Sequence, residues 1–172
     1  MAKLKKAVCW RKLERPYTRK SKFRKKNFIR SVPNSKIVKY DMGELNKTFE
    51  MTYELRTKVP IQIRHNALES ARQACNRWLE KKIGKVGFYF RVRVYPHHVL
   101  RENPLAAGAG ADRMSTGMAK SFGKTVGIAA QLREGQPIFE VMVNKQHELV
   151  AKEALHRAVH KIPCSCTVVK VS

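Results

Sequence analysis

Several stretches of the chain alternate between apolar and polar residues, as strands with one buried face do. Residues 49–57 show this pattern, and residues 87–95 show it most clearly. In 87–95 the apolar face carries Phe88, Phe90, Val92 and Val94, and the other face carries Tyr89, Arg91, Arg93 and Tyr95. Strand-like patterns return in 125–132, 138–143 and 166–171. The pattern in 87–95 therefore predicts a strand with a core face and a cationic face.

Two other stretches have apolar residues at helical spacing. The first carries Leu68, Ala71, Cys75, Trp78, Leu79 and Ile83 and is followed by Gly84, which predicts the helix end. Asn66 and Glu69 have the spacing of a capping box at its start. The second helix is predicted from Lys145 to about Lys161, with an apolar seam of Leu149, Ala151, Leu155, Ala158 and Ile162.

These elements form two strand–helix–strand passages, and a turn at 134–137 predicts a hairpin in the second. We therefore predict an α+β fold in which a sheet is covered by two amphipathic helices. Residues 31–172 form the predicted single domain. Within it, about 102–124 has little periodicity and several glycines, which predicts a long mobile loop with a functional task.

Charge is distributed unevenly along the 172 residues. The whole chain has 36 Lys and Arg against 13 Asp and Glu, a net charge of +23, and residues 1–30 hold 13 of the cations with one acid. Aromatic residues are interleaved with these cations, and the segment has no helical apolar stripe. Residues 1–30 are therefore predicted to be a basic arm that becomes ordered on a polyanion. A solvated tail without a specific target is the alternative.

Candidate RNA contacts lie in this arm and along the cationic strand. They are Arg11, Lys12, Arg15, Tyr17, Arg19, Lys20, Arg24, Lys25 and Lys26 in the arm, and Arg91, Arg93, His97, His98 and Arg101 on the strand and its exit. Alternate strand residues share a face, where they could follow phosphates. No helix-turn-helix, zinc finger or zipper pattern favours DNA, so RNA is the predicted partner. Without a spanning segment or secretory signal, we expect a cytoplasmic protein with reduced thiols and no membrane partner.

Two motifs suggest other chemistry. Gly117 to Thr125 is similar to a phosphate-binding P-loop, but five residues separate its glycines where that motif has four. His156, His160, Cys164 and Cys166 could supply four zinc ligands, although the C-x-C spacing is not that of a zinc knuckle. A nucleotide-binding or zinc-binding module is therefore kept as the alternative function. The sequence predicts no catalytic residue, no cofactor and no metal.

Four segments carry a resemblance to a known family: RPYTRK (15–20), VPNSKIVKYDMG (32–43), FRVRVYPHHVLREN (90–103) and GAGADRMSTGMAKSFGK (108–124). They closely resemble the large-subunit ribosomal proteins known as L-ten-e in archaea and eukaryotes, the counterpart of bacterial L-sixteen. The length is typical of archaeal members. The resemblance implies a non-enzymatic structural protein that binds ribosomal RNA near the 5S RNA and contacts neighbouring ribosomal proteins.

The resemblance also implies a role for the long loop. In the family, the segment matching 102–112 points toward the peptidyl transferase centre and tRNA, and the segment matching 110–124 is its basic return. The implied tRNA-facing residues are Gly108, Gly110, Asp112, Arg113, Lys120 and Lys124. Pro104, Ala119 and Thr125 depart from the residues common in the family, so the loop tip is expected to be less cationic.

Overall fold

The computed structural model describes residues 5–16, 18, 23, 25, 29, 31–102 and 123–171. Within them, eight strands and two α-helices form the α+β fold that the sequence predicts. The strands are β1 (Asp41–Gly43), β2 (Met51–Thr57), β3 (Ile61–Arg64), β4 (Phe88–Val92), β5 (His98–Glu102), β6 (Lys124–Leu132), β7 (Pro137–Val143) and β8 (Cys166–Lys170). The helices are α1 (His65–Ile83) and α2 (Glu148–Val159), and 3₁₀ turns lie at Ala7–Trp10 and Lys145–His147.

Helix α1 has the predicted apolar face and the predicted end. Leu68, Ala71, Cys75 and Leu79 are fully buried. Gly84 stops the helix with φ +81°, a backbone conformation that glycine adopts easily, and its N–H donates to Glu80 O. The predicted capping box is wrong, because the helix begins two residues earlier than the box implies and Arg64 is its N-cap. Asn66 instead accepts the N–H of Ala67.

Helix α2 is shorter than predicted at both ends. Residues 145–147 form a 3₁₀ turn, and the helix ends at Val159. Ala151, Leu155 and Ala158 are buried as predicted, but Leu149 is 79% exposed and was wrongly placed in the seam. Ala154 takes its place, because the helix turns 100° per residue and its buried stripe runs through 151, 154, 155 and 158. Helices α1 and α2 pack against each other.

The main core lies between these helices and a five-stranded antiparallel sheet. The strand order is β1-β4-β7-β2-β8. Tyr53, Phe90 and Phe139 are fully buried on the face toward the helices, and the rings of Phe90 and Phe139 pack at a centroid distance of 5.5 Å. The central strands β7 and β2 contact α2, whereas β4 contacts α1. The sequence pattern correctly predicts this helix-covered sheet.

A second, three-stranded sheet in the order β3-β6-β5 is the main departure from the prediction. The predicted hairpin is wrong, because β6 pairs with β3 and β5, whereas β7 pairs with β2 and β4. The chain therefore passes from one sheet to the other at 133–136. It does the same between β2 and β3 and between β4 and β5. Three adjacent strands of the first sheet thus continue as the three strands of the second.

A proline marks each of these three crossings. Pro60 precedes β3, Pro96 precedes β5, and Pro137 is the first residue of β7. Because proline has no N–H to donate to a ladder, each ladder is interrupted at the bend between the sheets. Thr57 joins two of the crossings: its hydroxyl donates to Arg133 O at 2.8 Å, and its carbonyl accepts the N–H of Gly135 at 2.9 Å.

Replacing Gly43 with alanine is expected to lower the free energy of unfolding by about 3 kcal/mol. Gly43 has φ +85°, and a Cβ there would lie 2.1 Å from the carbonyl oxygen of Phe88 on the paired strand. Chemical denaturation measures the change. Gly84→Ala is the matched control, because its φ is +81° but no atom lies within 4 Å of the added Cβ. An equal loss in both variants would show that backbone conformation, not the clash, sets the effect.

Candidate nucleic acid interface

The strand predicted to have a core face and a cationic face has the predicted orientation. Phe90 and Val92 are buried, and Arg91 and Arg93 are exposed. The buried face packs beneath the helices, so the arginines lie on the outer face of the five-stranded sheet. The sequence thus correctly separates the two faces of β4.

Acidic residues from neighbouring strands share that outer face. Cross-strand partners form a row that reads, from β1 to β2, Asp41, Arg91, Glu140 and Glu54. Arg93 Nη1 lies 2.9 Å from Glu140 Oε2, and Arg56 Nη2 lies 2.7 Å from Glu54 Oε2. Three arginines are therefore matched by three carboxylates. The outer face is close to neutral in the free protein, and RNA contact by Arg91 and Arg93 stays a prediction.

The remaining residues of this group lie in different surroundings. His97 is exposed, and its Nδ1 lies 3.1 Å from Tyr95 O. His98 is only 4% exposed, and Arg101 is half-buried. Burial lowers the pKa of His98 below its usual value; the nearby Glu14 opposes this shift, and His97 and Arg101 add to it. His98 therefore lies away from the surface on which a phosphate would lie.

The lowered pKa of His98 makes stability depend on pH. Because the unfolded histidine, with a pKa near 6.5, binds a proton more readily than the folded one, His98 stabilises the fold above about pH 6.5. This contribution is lost as pH falls through the folded pKa. We expect His98→Gln to flatten the fall in stability between pH 7.5 and 5. Denaturation at a series of pH values measures it, and the exposed His156→Gln is the control, because His156 is not among the groups that shift the pKa of His98. Identical curves for His98→Gln and the parent would contradict the prediction.

The described part of the basic arm lies along the three-stranded sheet. Gln62 of β3 donates its side-chain N–H to Trp10 O at 3.0 Å and its backbone N–H to Arg11 O at 3.2 Å. Gln131 of β6 donates to Glu14 O at 2.7 Å. Lys5 forms an ion pair with Glu102 of β5. Residues 5–16 therefore have partners within the chain, which the charge pattern alone did not indicate.

Two adjoining hollows, of about 380 Å³ and 800 Å³, flank this segment, and we call them together the arm groove. Ile162 and Pro163 line both. The first is also lined by Ala7, Trp10, Gln62, Arg64, Asn66, Ala67, Ser70, His160 and Lys161, and the second by Val8, Arg11, Lys12, Val59, Pro60, Ile61, Cys164 and Ser165. Among these described residues there is no Asp or Glu, so the groove is a concave cationic surface suited to a polyanion.

Four cations give the arm groove its charge: Arg11, Lys12, Arg64 and Lys161. Burial lowers the pKa of Arg64 from its usual value, but the group stays charged at neutral pH. Arg11 and Lys12 are sequence-predicted contacts, whereas Arg64 and Lys161 were missed. Arg64 comes from β3 and Lys161 from the turn just after α2, so nothing in the local sequence relates them to the arm.

Comparison with known proteins bears on the role of this surface. Residues 17–169 match the family described as ribosomal protein L16p/L10e. The chain is 47% identical over 167 residues to proteins of Methanococcus maripaludis and Methanococcus aeolicus that carry the name large ribosomal subunit protein uL16, covering 96% of this chain and 93% of each relative. The chain belongs to this family. These matches confirm the resemblance seen in the sequence. L16p/L10e proteins are structural components rather than enzymes.

The tRNA-facing residues implied for this L16p/L10e protein lie mostly outside the described residues. Five of the six lie outside: Gly108, Gly110, Asp112, Arg113 and Lys120. Five predicted contacts of the arm also lie outside the described residues: Tyr17, Arg19, Lys20, Arg24 and Lys26. Of the remaining predicted contacts, Arg15, Lys25 and Lys124 are exposed. The contacts of all these residues with RNA stay predictions.

The two motifs with alternative chemistry fold differently from the sites they suggest. Lys124 and Thr125 begin strand β6, whereas a P-loop lysine and threonine would begin a helix. His156 and His160 stack on each other at a centroid distance of 5.8 Å. Within the described ranges, no group of three or more His, Cys, Asp or Glu side chains could hold a metal ion. In the same residues, no helix is both long and apolar enough to cross a membrane.

Proposed function

We propose that this L16p/L10e protein is a structural constituent of the large ribosomal subunit that binds ribosomal RNA through its basic arm and the arm groove. The observation that carries the proposal is the groove itself, a concave surface with four cations and no carboxylate among its described lining residues. Its relatives are named as large ribosomal subunit proteins. The protein would therefore act in the cytoplasm, bound to ribosomes and in contact with neighbouring ribosomal proteins.

The chemistry of the groove suits an RNA backbone. Phosphates are neutralised by cations that release condensed counterions, and folded RNA is recognised mainly by shape and backbone. Trp10, Arg64 and Lys161 line the same first hollow, which therefore has an aromatic side chain and two cations in its wall. The neutral outer face of the five-stranded sheet offers less attraction. The groove is therefore the first place where we expect ribosomal RNA to lie.

The finer part of the proposal concerns tRNA. Residues 103–122 contain Gly108, Gly110 and Gly117, and much of their apolar content is alanine and methionine. Such a segment loses much conformational entropy on ordering and buries little apolar surface, so a partner must supply its contacts. The family resemblance suggests tRNA, near the aminoacyl and peptidyl sites, as that partner. Proximity to 5S RNA belongs to the same proposal.

Sedimentation tests the proposal for the whole protein. A tagged chain expressed in a Methanococcus host is expected to sediment with large subunits in a sucrose gradient at moderate salt. A variant that keeps the fold but carries Gln at Arg11, Lys12 and Lys161 should shift toward the top of the gradient at lower salt than the parent. A parent chain found only in the unbound fractions would contradict the proposal.

Replacing residues 104–110 by a short Gly-Ser linker tests the loop separately. Because the proposed anchor is the arm and groove, we expect the melting temperature and subunit incorporation to stay nearly unchanged. Peptide synthesis in a reconstituted system is expected to slow several-fold, because tRNA would be positioned less well. Failure of the variant to join the subunit would make the loop an assembly anchor, and normal synthesis would make it a spacer; either result contradicts the proposed role.

A further inference from the structure

Cys164 and Cys166 bring two thiols together at the edge of the arm groove. Their Sγ atoms lie 3.5 Å apart, and both side chains are half-buried. Cys164 lies in the bend after α2 and lines the second hollow, whereas Cys166 is the first residue of β8. The other two cysteines differ from this pair. Cys9 is exposed, and Cys75 is fully buried in the core.

The backbone around the pair is held by the strand beside it. Cys166 is paired with Thr57 in the β2–β8 ladder, and Lys58 donates its N–H to Ser165 O at 3.1 Å. These backbone contacts hold Ser165 and Cys166 in place. Cys164 lies beyond the ladder, in the bend, where its side chain can rotate without breaking a strand hydrogen bond. The β2–β8 pairing thus holds Cys166 in place beside the bend, where Cys164 brings its sulfur within 3.5 Å.

A hydrogen bond within the pair and a nearby cation both favour the thiolate of Cys164. The Cys166 thiol can donate a hydrogen bond to Cys164 Sγ, which lowers the pKa of Cys164, and the nearby Arg11 lowers it further although burial opposes the shift. The same interaction raises the pKa of Cys166. Cys164 lines the second hollow together with Arg11, so it is the better placed thiol to attack, and Cys166 lies beside it as the resolving cysteine.

We propose that Cys164 and Cys166 form a dithiol site that exchanges with small anionic disulfides and closes into an intramolecular disulfide. The hollow that exposes Cys164 also carries Arg11 and Lys12, and no acid is among its described lining residues, so a disulfide with carboxylates is attracted to it. Closure from 3.5 Å to a bond of about 2.05 Å needs the sulfurs to approach by about 1.5 Å, which side-chain rotation at the bend can supply.

The reaction has two balanced steps. The Cys164 thiolate attacks one sulfur of the small disulfide, whose S–S bond breaks, and the other half leaves as a thiolate that takes up a proton. Cys166 then loses its proton and attacks Cys164 Sγ, which releases the second half as a thiol. The small disulfide is reduced to two thiols, and the two cysteine thiols are oxidised to one disulfide.

Incubation of the full chain with oxidised glutathione, followed by alkylation and peptide mass spectrometry, tests the site. The peptide with Cys164 and Cys166 is expected to carry neither an alkyl group nor glutathione, and to weigh two hydrogens less than the same peptide with two free thiols. In Cys166→Ser, a glutathione mixed disulfide should stay on Cys164, and Cys164→Ser should lose the closed product. Cystamine, which is cationic, is expected to react roughly tenfold more slowly than oxidised glutathione.

Two residues of the chain serve as internal controls. Cys9 is an exposed single thiol, and it can carry glutathione but cannot close. Cys75 is buried, so its resistance to alkylation under native conditions shows that each variant is folded. The proposal would be overturned if Cys9 carried glutathione while Cys164 and Cys166 were both still alkylated. It would also be overturned if Cys164 and Cys166 each carried a glutathione.

Discussion

Replacing Phe139 with alanine is expected to lower the free energy of unfolding by about 3–5 kcal/mol. Phe139 is fully buried in β7, the middle strand of the five-stranded sheet, and its ring packs against Phe90 on the neighbouring strand. Truncation leaves a cavity beneath both helices that the paired strands cannot close. Chemical denaturation, followed by circular dichroism, measures the loss.

Tyr95→Ala is the matched control for Phe139→Ala. Tyr95 also stacks on an aromatic partner, Tyr40, at a centroid distance of 5.8 Å, but it is 65% exposed. Loss of this stacking is expected to cost about 1 kcal/mol, because little area is buried. Similar losses in the two variants would mean that ring stacking, rather than burial in the main core, determines the stability of the sheet.

Strand faces and the end of α1 follow from the sequence because they are decided locally. Phe88, Phe90 and Val92 must share a face, since successive side chains of a strand alternate. The end of α1 was predicted from Gly84, whose positive φ lets the chain leave the helix. Leu149 was misplaced because a leucine near a helix start fits an apolar seam by spacing, although it lies on the exposed side of the first turn.

The division into two sheets was missed although its signal is present in the sequence. Pro60, Pro96 and Pro137 each interrupt a ladder, but a proline between two strand patterns is equally typical of a hairpin turn. A hairpin turn and a crossing between sheets differ only in which strands pair: neighbours in sequence in the first case, strands distant in sequence in the second. Strand β6 pairs with β3 and β5, which are brought together only in the folded chain, so local pattern could not reveal the crossing.

The electrostatics of the candidate interface also depend on distant contacts. Arg91 and Arg93 belong to a basic stretch of sequence, but Asp41 and Glu140 lie beside them on other strands. Conversely, Lys161 is one of many surface lysines in the sequence, and folding places it in the same groove as the arm. Composition thus indicates a polyanion partner, whereas only the fold distinguishes a neutral face from a cationic groove.

Neutralising three cations of the arm groove is expected to weaken RNA binding by roughly a hundredfold at about 0.1 M salt. The variant carries Gln at Arg11, Lys12 and Lys161, which are exposed and have no acid beside them among the groove's described lining residues. If each cation meets a phosphate, the slope of log affinity against log salt should become less steep by about 2–3. Filter binding to large-subunit rRNA transcribed in vitro, at several salt concentrations, measures both.

The matched control carries Gln at Arg77, Lys81 and Lys85, which are also exposed. These replacements remove the same three positive charges. Arg77 and Lys81 lie in the last two turns of α1, and Lys85 lies just beyond its end. The residues of α1 that line the groove lie in its first two turns, and the helix has 19 residues and is thus about 28 Å long. A purely long-range effect of net charge would weaken binding equally in the two triple variants. Contact at the groove instead predicts a loss of less than about threefold in the control, because its phosphate contacts are intact. Equal losses would therefore move the RNA interface away from the groove.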